Sequence, residues 1–304
     1  MDTPGYADFV GEVKTALRVS DGAVILVCAA SGVEVGTEFV WRYVKDEGTP
    51  RIIFVNKMDR ENADFFKTVA QIQDNLGGNA IPIQLPIGSQ AGFEGLVDLL
   101  SMKAYYGPEL KEGDIPPSLQ GEVEGFREKL VEAVCELDDE LLTKYLEGEE
   151  IAEEDIHRGL EEATMNGKVM PILVGSALQN IGTGQLLNAI CDYLPSPEDR
   201  GEILAAGPSG EESLPQGEGA PLAALIFKTT ADPFVGKLTY FRVYSGSISS
   251  NSQVYNATRG KMERVGQLFM MKGKAQEAVP HVIAGDIGAV AKLSETATGD
   301  SLSS

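Results

Sequence analysis

Between residues 8 and 18 the apolar side chains Phe9, Val13 and Leu17 recur four apart, the spacing of one helix face, which predicts a short helix. A continuous apolar run follows, Ala23-Val24-Ile25-Leu26-Val27-Cys28, bounded by Asp21-Gly22 and Ser31-Gly32. An unbroken run of that length suits a parallel strand buried on both faces. Thr37 is placed to cap a helix whose Phe39, Val40, Tyr43 and Val44 form an inward stripe; Gly48 and Pro50 end it, and Trp41 reads as packing. Residues 51–55 give a second buried strand with Asn56 at its carboxyl end. A helix carrying Phe66, Val69 and Ile72 then leads to a strand over 80–87, in which Pro82 and Pro86 are poor ladder members.

From about 88 to 167 the alternation of strand and helix is interrupted by acidic helices, which read as an insertion. It resumes with the apolar run 169–174, the loop Gly175-Ser176-Ala177-Leu178, and a helix bearing Leu186, Leu187, Ile190 and Leu194. Strands alternating with helices imply an α/β, doubly wound parallel sheet, whose ligands bind beyond the carboxyl ends of the strands. Asn56 and Gly175 both stand at such ends. Residues 197–219 are rich in Gly, Pro, Ser and Glu with little to bury, and read as a linker. Beyond it, 222–228, 237–244, 253–256, 262–269 and 287–293 are short strand patterns separated by turn residues, the spacing of a small all-β barrel. The expected organisation is therefore an α/β domain over 1–196, a linker over 197–219 and a β-barrel over 220–304.

Composition narrows the function classes. The formal charge of −21 opposes nonspecific adhesion to a polyanion, so DNA binding is not expected and any nucleic-acid contact must be local. The acidic excess gathers around 122–162, where a solvated helical surface explains it. No stretch approaches the roughly twenty apolar residues that cross a bilayer, so no membrane partner is expected and a cytoplasmic location is. Cys28, Cys135 and Cys191 lie far apart without metal or redox spacing, and His157 and His281 belong to no ligand-like cluster.

The chemistry gathers in three places. Asn56-Lys57-Met58-Asp59 follows a buried strand. A carboxylate at Asp59 can accept two hydrogen bonds from the guanine edge, whereas adenine would set lone pair against lone pair; Asn56 can brace the loop, and the Lys57 stem can lie along the base. Gly175-Ser176-Ala177-Leu178 offers backbone N–H groups to the guanine carbonyl. Asp2-Thr3-Pro4-Gly5 combines a carboxylate able to hold magnesium through water with a glycine able to turn its N–H toward a phosphate. Each stretch alone reads equally as turn chemistry; their order along one βα sheet points to a guanine nucleotide.

These segments, with Ser20-Asp21-Gly22-Ala23 and the run 50–65, resemble the third, fourth and fifth guanine-nucleotide motifs of bacterial elongation factor G. The resemblance spans nearly the whole chain, including the acidic insertion and Asp232-Pro233-Phe234-Val235-Gly236-Lys237-Leu238 in the second domain. It implies a P-loop-GTPase-like sheet followed by a translation-factor barrel, with GTP or GDP and Mg2+ as cofactors. It implies too a factor that docks on ribosomal RNA and proteins and couples hydrolysis to translocation or a related step. Arg242, Lys237, Arg259, Lys261 and Arg264 are the cations it would place near ribosomal RNA. Two departures stand against it. Tyr6 occupies the position of the histidine that positions attacking water, and a phenol cannot readily carry a proton near neutrality. No GxxxxGK[ST] phosphate loop occurs, so the chain reads as an N-terminally truncated piece with an exposed edge at 23–28. The alternative is a non-catalytic ribosome- or factor-binding module with a degenerate G domain.

Overall fold

The computed structural model describes all residues except Gly78, Pro208, Ser209, Pro233, Phe234 and Val235. They form two compact units, one of Pro4–Val10 with Ser20–Pro195, the other of Met1–Thr3, Gly11–Val19 and Ser196–Ser304. The expected first helix is α1 (Val10–Leu17), which buries Val13 and, from Gly11 onward, clusters with the second unit.

The first unit opens with β1 (Ala23–Cys28), α2 (Val35–Asp46), β2 (Arg51–Asn56), α3 (Phe65–Leu76) and β3 (Asn79–Pro82). Helix α2 begins one turn earlier than Thr37 suggests. Glu34 is its cap, and the Thr37 hydroxyl reaches back to accept the Glu34 N–H at 3.3 Å in a reciprocal capping box. Its inward face carries Trp41 and Val44 rather than Phe39, which is exposed; the Arg51 guanidinium sits 4.4 Å from the Trp41 ring. The larger indole buries more apolar area, and the cation over its face adds to that preference. Asp64 caps α3, accepting the Lys67 N–H at 3.0 Å.

The single strand expected over 80–87 is two. After β3 the chain leaves the parallel sheet at Pro82 and enters a four-stranded antiparallel sheet, ordered β4 (Gln84–Ile87), β5 (Gly95–Asp98), β6 (Lys103–Tyr106) and β7 (Lys111–Gly113). The insertion thus opens with a β-meander that its glycines and short strands conceal from periodicity. The acidic helices α4 (Gln120–Cys135), α5 (Asp139–Leu146) and α6 (Glu153–Met165) follow. Strand β8 (Val169–Val174) and α7 (Thr183–Tyr193) complete the unit. The parallel sheet runs β1-β2-β8-β3, with β8 wholly buried and β2 buried up to Asn56, as unbroken apolar runs require. Strand β1 is one edge of the sheet and, contrary to the expected burial on both faces, is only half-buried, with Leu26 58% exposed, because no strand among the described residues pairs beyond it.

The second unit is all antiparallel β apart from α1 and a short 3-10 turn. The stretch expected as a linker carries a hairpin, β9 (Ile203–Gly207) with β10 (Gly210–Leu214), which buries no residue and so leaves no hydrophobic signature. The remaining strands are β11 (Ala223–Asp232), β12 (Gly236–Ser245), β13 (Ser247–Ser249), β14 (Gln253–Asn256), β15 (Lys261–Arg264), β16 (Leu268–Lys272), β17 (Ala275–Val279), β18 (His281–Ile283), β19 (Ile287–Ala291) and β20 (Ser301–Ser303). Eight of them form one sheet, β15-β14-β20-β11-β12-β19-β16-β17, with β13 and β18 paired separately. Register shifts between β11 and β12 bend it around a core that includes Ile226, Phe241, Val243, Val254, Leu268 and Val290. Within the expected 232–238 signature, Pro233, Phe234 and Val235 lie outside the described residues.

Candidate guanine-nucleotide site

The candidate site lies at the carboxyl ends of β2 and β8, neighbours in the sheet. Asn56 ends β2, and its side-chain oxygen accepts the N–H groups of Lys57 at 2.7 Å and Ala177 at 2.9 Å, tying the two loops together. Lys57 has φ of 66°, the left-handed region that side chains avoid, and is held there by bonds on both sides. Met58 donates its N–H to the Gly175 carbonyl at 3.2 Å, and Gly175 donates to the Val55 carbonyl at 3.0 Å. The Ser176 hydroxyl donates to the Asp59 carboxylate in a short contact. Asp59 is half-buried and Ser176 fully buried.

Gly175 has no room for a side chain. A Cβ there would sit 2.4 Å from the Ile181 carbonyl oxygen and 2.7 Å from the Phe54 ring. Ser176 and Ile181 exchange backbone bonds at 2.9 and 3.0 Å, which closes the loop into a tight turn with Ala177 and Leu178 at its exposed tip. Most of the N–H groups in this turn are therefore committed within the protein: Gly175 to Val55, Ser176 to Ile181 and Ala177 to Asn56. Leu178, 86% exposed, carries the outward-facing end of the loop.

The back of the base loop is built by residues that sequence alone does not single out. Ala29, just past β1, donates to the Asn56 carbonyl at 2.8 Å and accepts the Asp64 N–H at 3.0 Å. Gln90 donates its N–H to the Met58 carbonyl at 2.7 Å. These are backbone bonds, so no residue type announces them. Cys28 pairs in register with Asn56. Burial acts to raise its thiol pKa, but hydrogen bonds with Ser31 and Ala30 and the charge of Lys57 outweigh it and hold the thiol below its ordinary value.

Asn56, Lys57, Asp59, Gly175, Ser176, Ala177 and Leu178 are thus brought into one pair of facing loops. The Asp2-Thr3-Pro4-Gly5 stretch is divided: Asp2 and Thr3 cluster with the all-β unit, and Pro4, Gly5 and Tyr6 with the sheet unit. Tyr6 is 78% exposed, and the Gly5 carbonyl lies against Gly36 at the start of α2. Among the described residues no group of three His, Cys, Asp or Glu side chains gathers. Of the cations expected near RNA, Arg242 is buried and donates to the Val19 carbonyl at 2.8 Å, Arg259 is bonded to Asp300 and Lys261 to Glu295.

Comparison with known proteins assigns both parts of the chain to one family. Residues 1–196 match the elongation factor Tu GTP binding domain family, and residues 221–304 match elongation factor G domain 2. The chain belongs to the elongation-factor-G-like translational GTPases. Its fold is similar to a crystal structure of ttk003000868 from Thermus thermophilus, with a TM-score of 0.85 and 33% identity over 100% of this chain. The chain spans 43% of that protein's length. The parallel α/β domain and the antiparallel second domain are both expected of the family. No helix among the described residues is long and apolar enough to cross a membrane.

Proposed function

We propose that this chain is the base-reading and second-domain portion of a ribosome-dependent GTPase that binds GTP and GDP and couples hydrolysis to translocation or a related step. Asp59 reads the guanine N1–H and amino group. Ser176 occupies one lone pair of the carboxylate and fixes its plane, leaving acceptor sites for the base. Asn56 braces the two loops, the Lys57 stem covers one face of the ring, and the tip at Leu178 faces the guanine carbonyl while Ala177 is held by Asn56. The observation that carries the reading is the Ser176 to Asp59 contact beside the Asn56 to Ala177 bond, both within a domain that matches the GTP-binding family.

In this reading Asp2 would help hold magnesium through water and the Gly5 N–H would face the terminal phosphate, with Thr3 and Pro4 setting the backbone between them. Tyr6 stands where the resemblance places the water-positioning histidine; a phenol donates a hydrogen bond but is a poor general base, so hydrolysis is slow. Ribosomal RNA and proteins are the partners, in the cytoplasm. The second reading is a docking module without catalysis; Tyr6 and the lack of any GxxxxGK[ST] stretch in the 304 residues favour it. Titration calorimetry on the full-length gene product, with GDP and ADP in turn, tests the proposal. Strong GDP binding with negligible ADP binding supports it, and equal or absent binding of both rejects the nucleotide reading.

A further inference from the structure

The geometry points to the turn at the root of the insertion, residues 88–92, as a positioning element for the base-reading loop, with Gly88 and the Gln90 backbone N–H as its working parts. This rests on the guanine-nucleotide reading of that loop. Met58 lies between Lys57 and Asp59 and is fully buried, so both of its backbone polar groups need partners. Its N–H is taken by the Gly175 carbonyl, and its carbonyl by the Gln90 N–H at 2.7 Å. The peptide that aims Asp59 is gripped from one side by the β8 loop and from the other by the insertion.

The turn is shaped for that grip. Gly88 has φ of 76°, and a Cβ there would sit 1.9 Å from the Gly92 carbonyl oxygen. Gln90 has φ of 55° without being glycine, a strained conformation held by Gly92 N–H on the Ser89 carbonyl at 3.0 Å and Phe93 N–H on the Gln90 carbonyl at 3.1 Å. Phe93 is buried and anchors the far end. A cavity of about 590 Å³, lined by Met58, Asn62, Phe66, Gly88 and Gln90 among others, lies beside this contact. Few packed atoms stand there to take over if the Gln90 bond is lost. Its loss would leave the Met58 carbonyl facing that open cavity instead of a backbone partner and free the loop to shift, moving the Asp59 carboxylate off the base edge.

The test uses the full-length protein and three variants: Gly88→Ala, which cannot keep the turn; Gln90→Pro, which removes the N–H and cannot take the positive φ; and Gln90→Gly, which keeps the N–H and relieves the strained φ. Two quantities are read: the GDP dissociation rate and the ratio of GDP to IDP affinity, IDP lacking the amino group that Asp59 binds. Gly88→Ala and Gln90→Pro are expected to speed GDP release about tenfold, the loss of roughly one hydrogen bond, and to lower the ratio, while Gln90→Gly preserves both. A role in stability alone would lower the melting temperature and leave the ratio untouched. Amide exchange at Gln90 in the unaltered protein gives an independent reading, expected to slow when GDP binds. Unchanged release and ratio in a folded Gly88→Ala or Gln90→Pro protein, or exchange at Gln90 indifferent to GDP, overturns the inference. Failure of the unaltered protein to prefer GDP over ADP would overturn instead the nucleotide reading beneath it.

Discussion

At the scale of single residues, the site depends on contacts that are short of space and rich in bonds. Ser176 is fully buried and gives its hydroxyl to Asp59, so Ser176→Ala should leave the carboxylate free to rotate. The expected result in the full-length protein is GDP affinity lower by about tenfold, in line with a hydrogen bond to an ionised group, measured by calorimetry. Gly175→Ala acts differently. The added methyl would meet the Ile181 carbonyl and the Phe54 ring, so it should destabilise the folded chain by about 1–3 kcal/mol, read as a lower midpoint in urea. Gly175 and Ser176 were legible before the structure because their loop stands in order with Asn56-Lys57-Met58-Asp59 at strand ends of one βα sheet. Gln90 and Ala29 were not, because they act through backbone groups that every residue carries.

At the scale of elements, burial decided what could be read. Strands β2 and β8 are apolar runs covered on both faces, as expected, whereas β1 stands where the sequence placed it but as a half-buried edge, so an apolar run marks a strand without settling how many of its faces are covered. The β9–β10 hairpin buries nothing, and the β4–β7 meander is made of three- and four-residue strands, so neither leaves a period long enough to detect. In the second unit the segment between β19 and β20 is held by buried carboxylates. Glu263 accepts from Glu295 N–H at 2.7 Å and the Thr296 hydroxyl at 2.9 Å, and Asp300 from Ala297 N–H at 2.9 Å and from Asn256 and Arg259. Burial acts to raise the Asp300 pKa, but the Ala297 and Asn256 hydrogen bonds and the Arg259 partner outweigh it, and the folded value lies below the ordinary 3.8. Its contribution to stability is therefore present above about pH 4 and lost as pH falls through the lowered folded value. Acid unfolding should show this loss, and Asp300→Asn should remove that part of the pH dependence while lowering stability at neutral pH.

At the scale of the whole molecule, two family-matched parts sit in one chain that spans 43% of the similar Thermus thermophilus protein. The proposed base-reading loops lie at adjacent strand ends, and the 304 residues hold no GxxxxGK[ST] stretch to grip phosphate. The polypeptide by itself should bind GDP far more weakly than the full-length gene product, because charge-assisted bonds to phosphate are among the strongest a nucleotide offers. Calorimetry of the two proteins side by side checks this, and micromolar affinity in the shorter chain would contradict it. The most direct trial of the account falls on Asp59. In the full-length protein, Asp59→Asn replaces an acceptor-only carboxylate with an amide that can donate. The account predicts that the preference moves from GDP toward XDP, with GDP affinity lower by about tenfold or more. An Asp59→Asn protein that still prefers GDP over XDP to the original degree would contradict it.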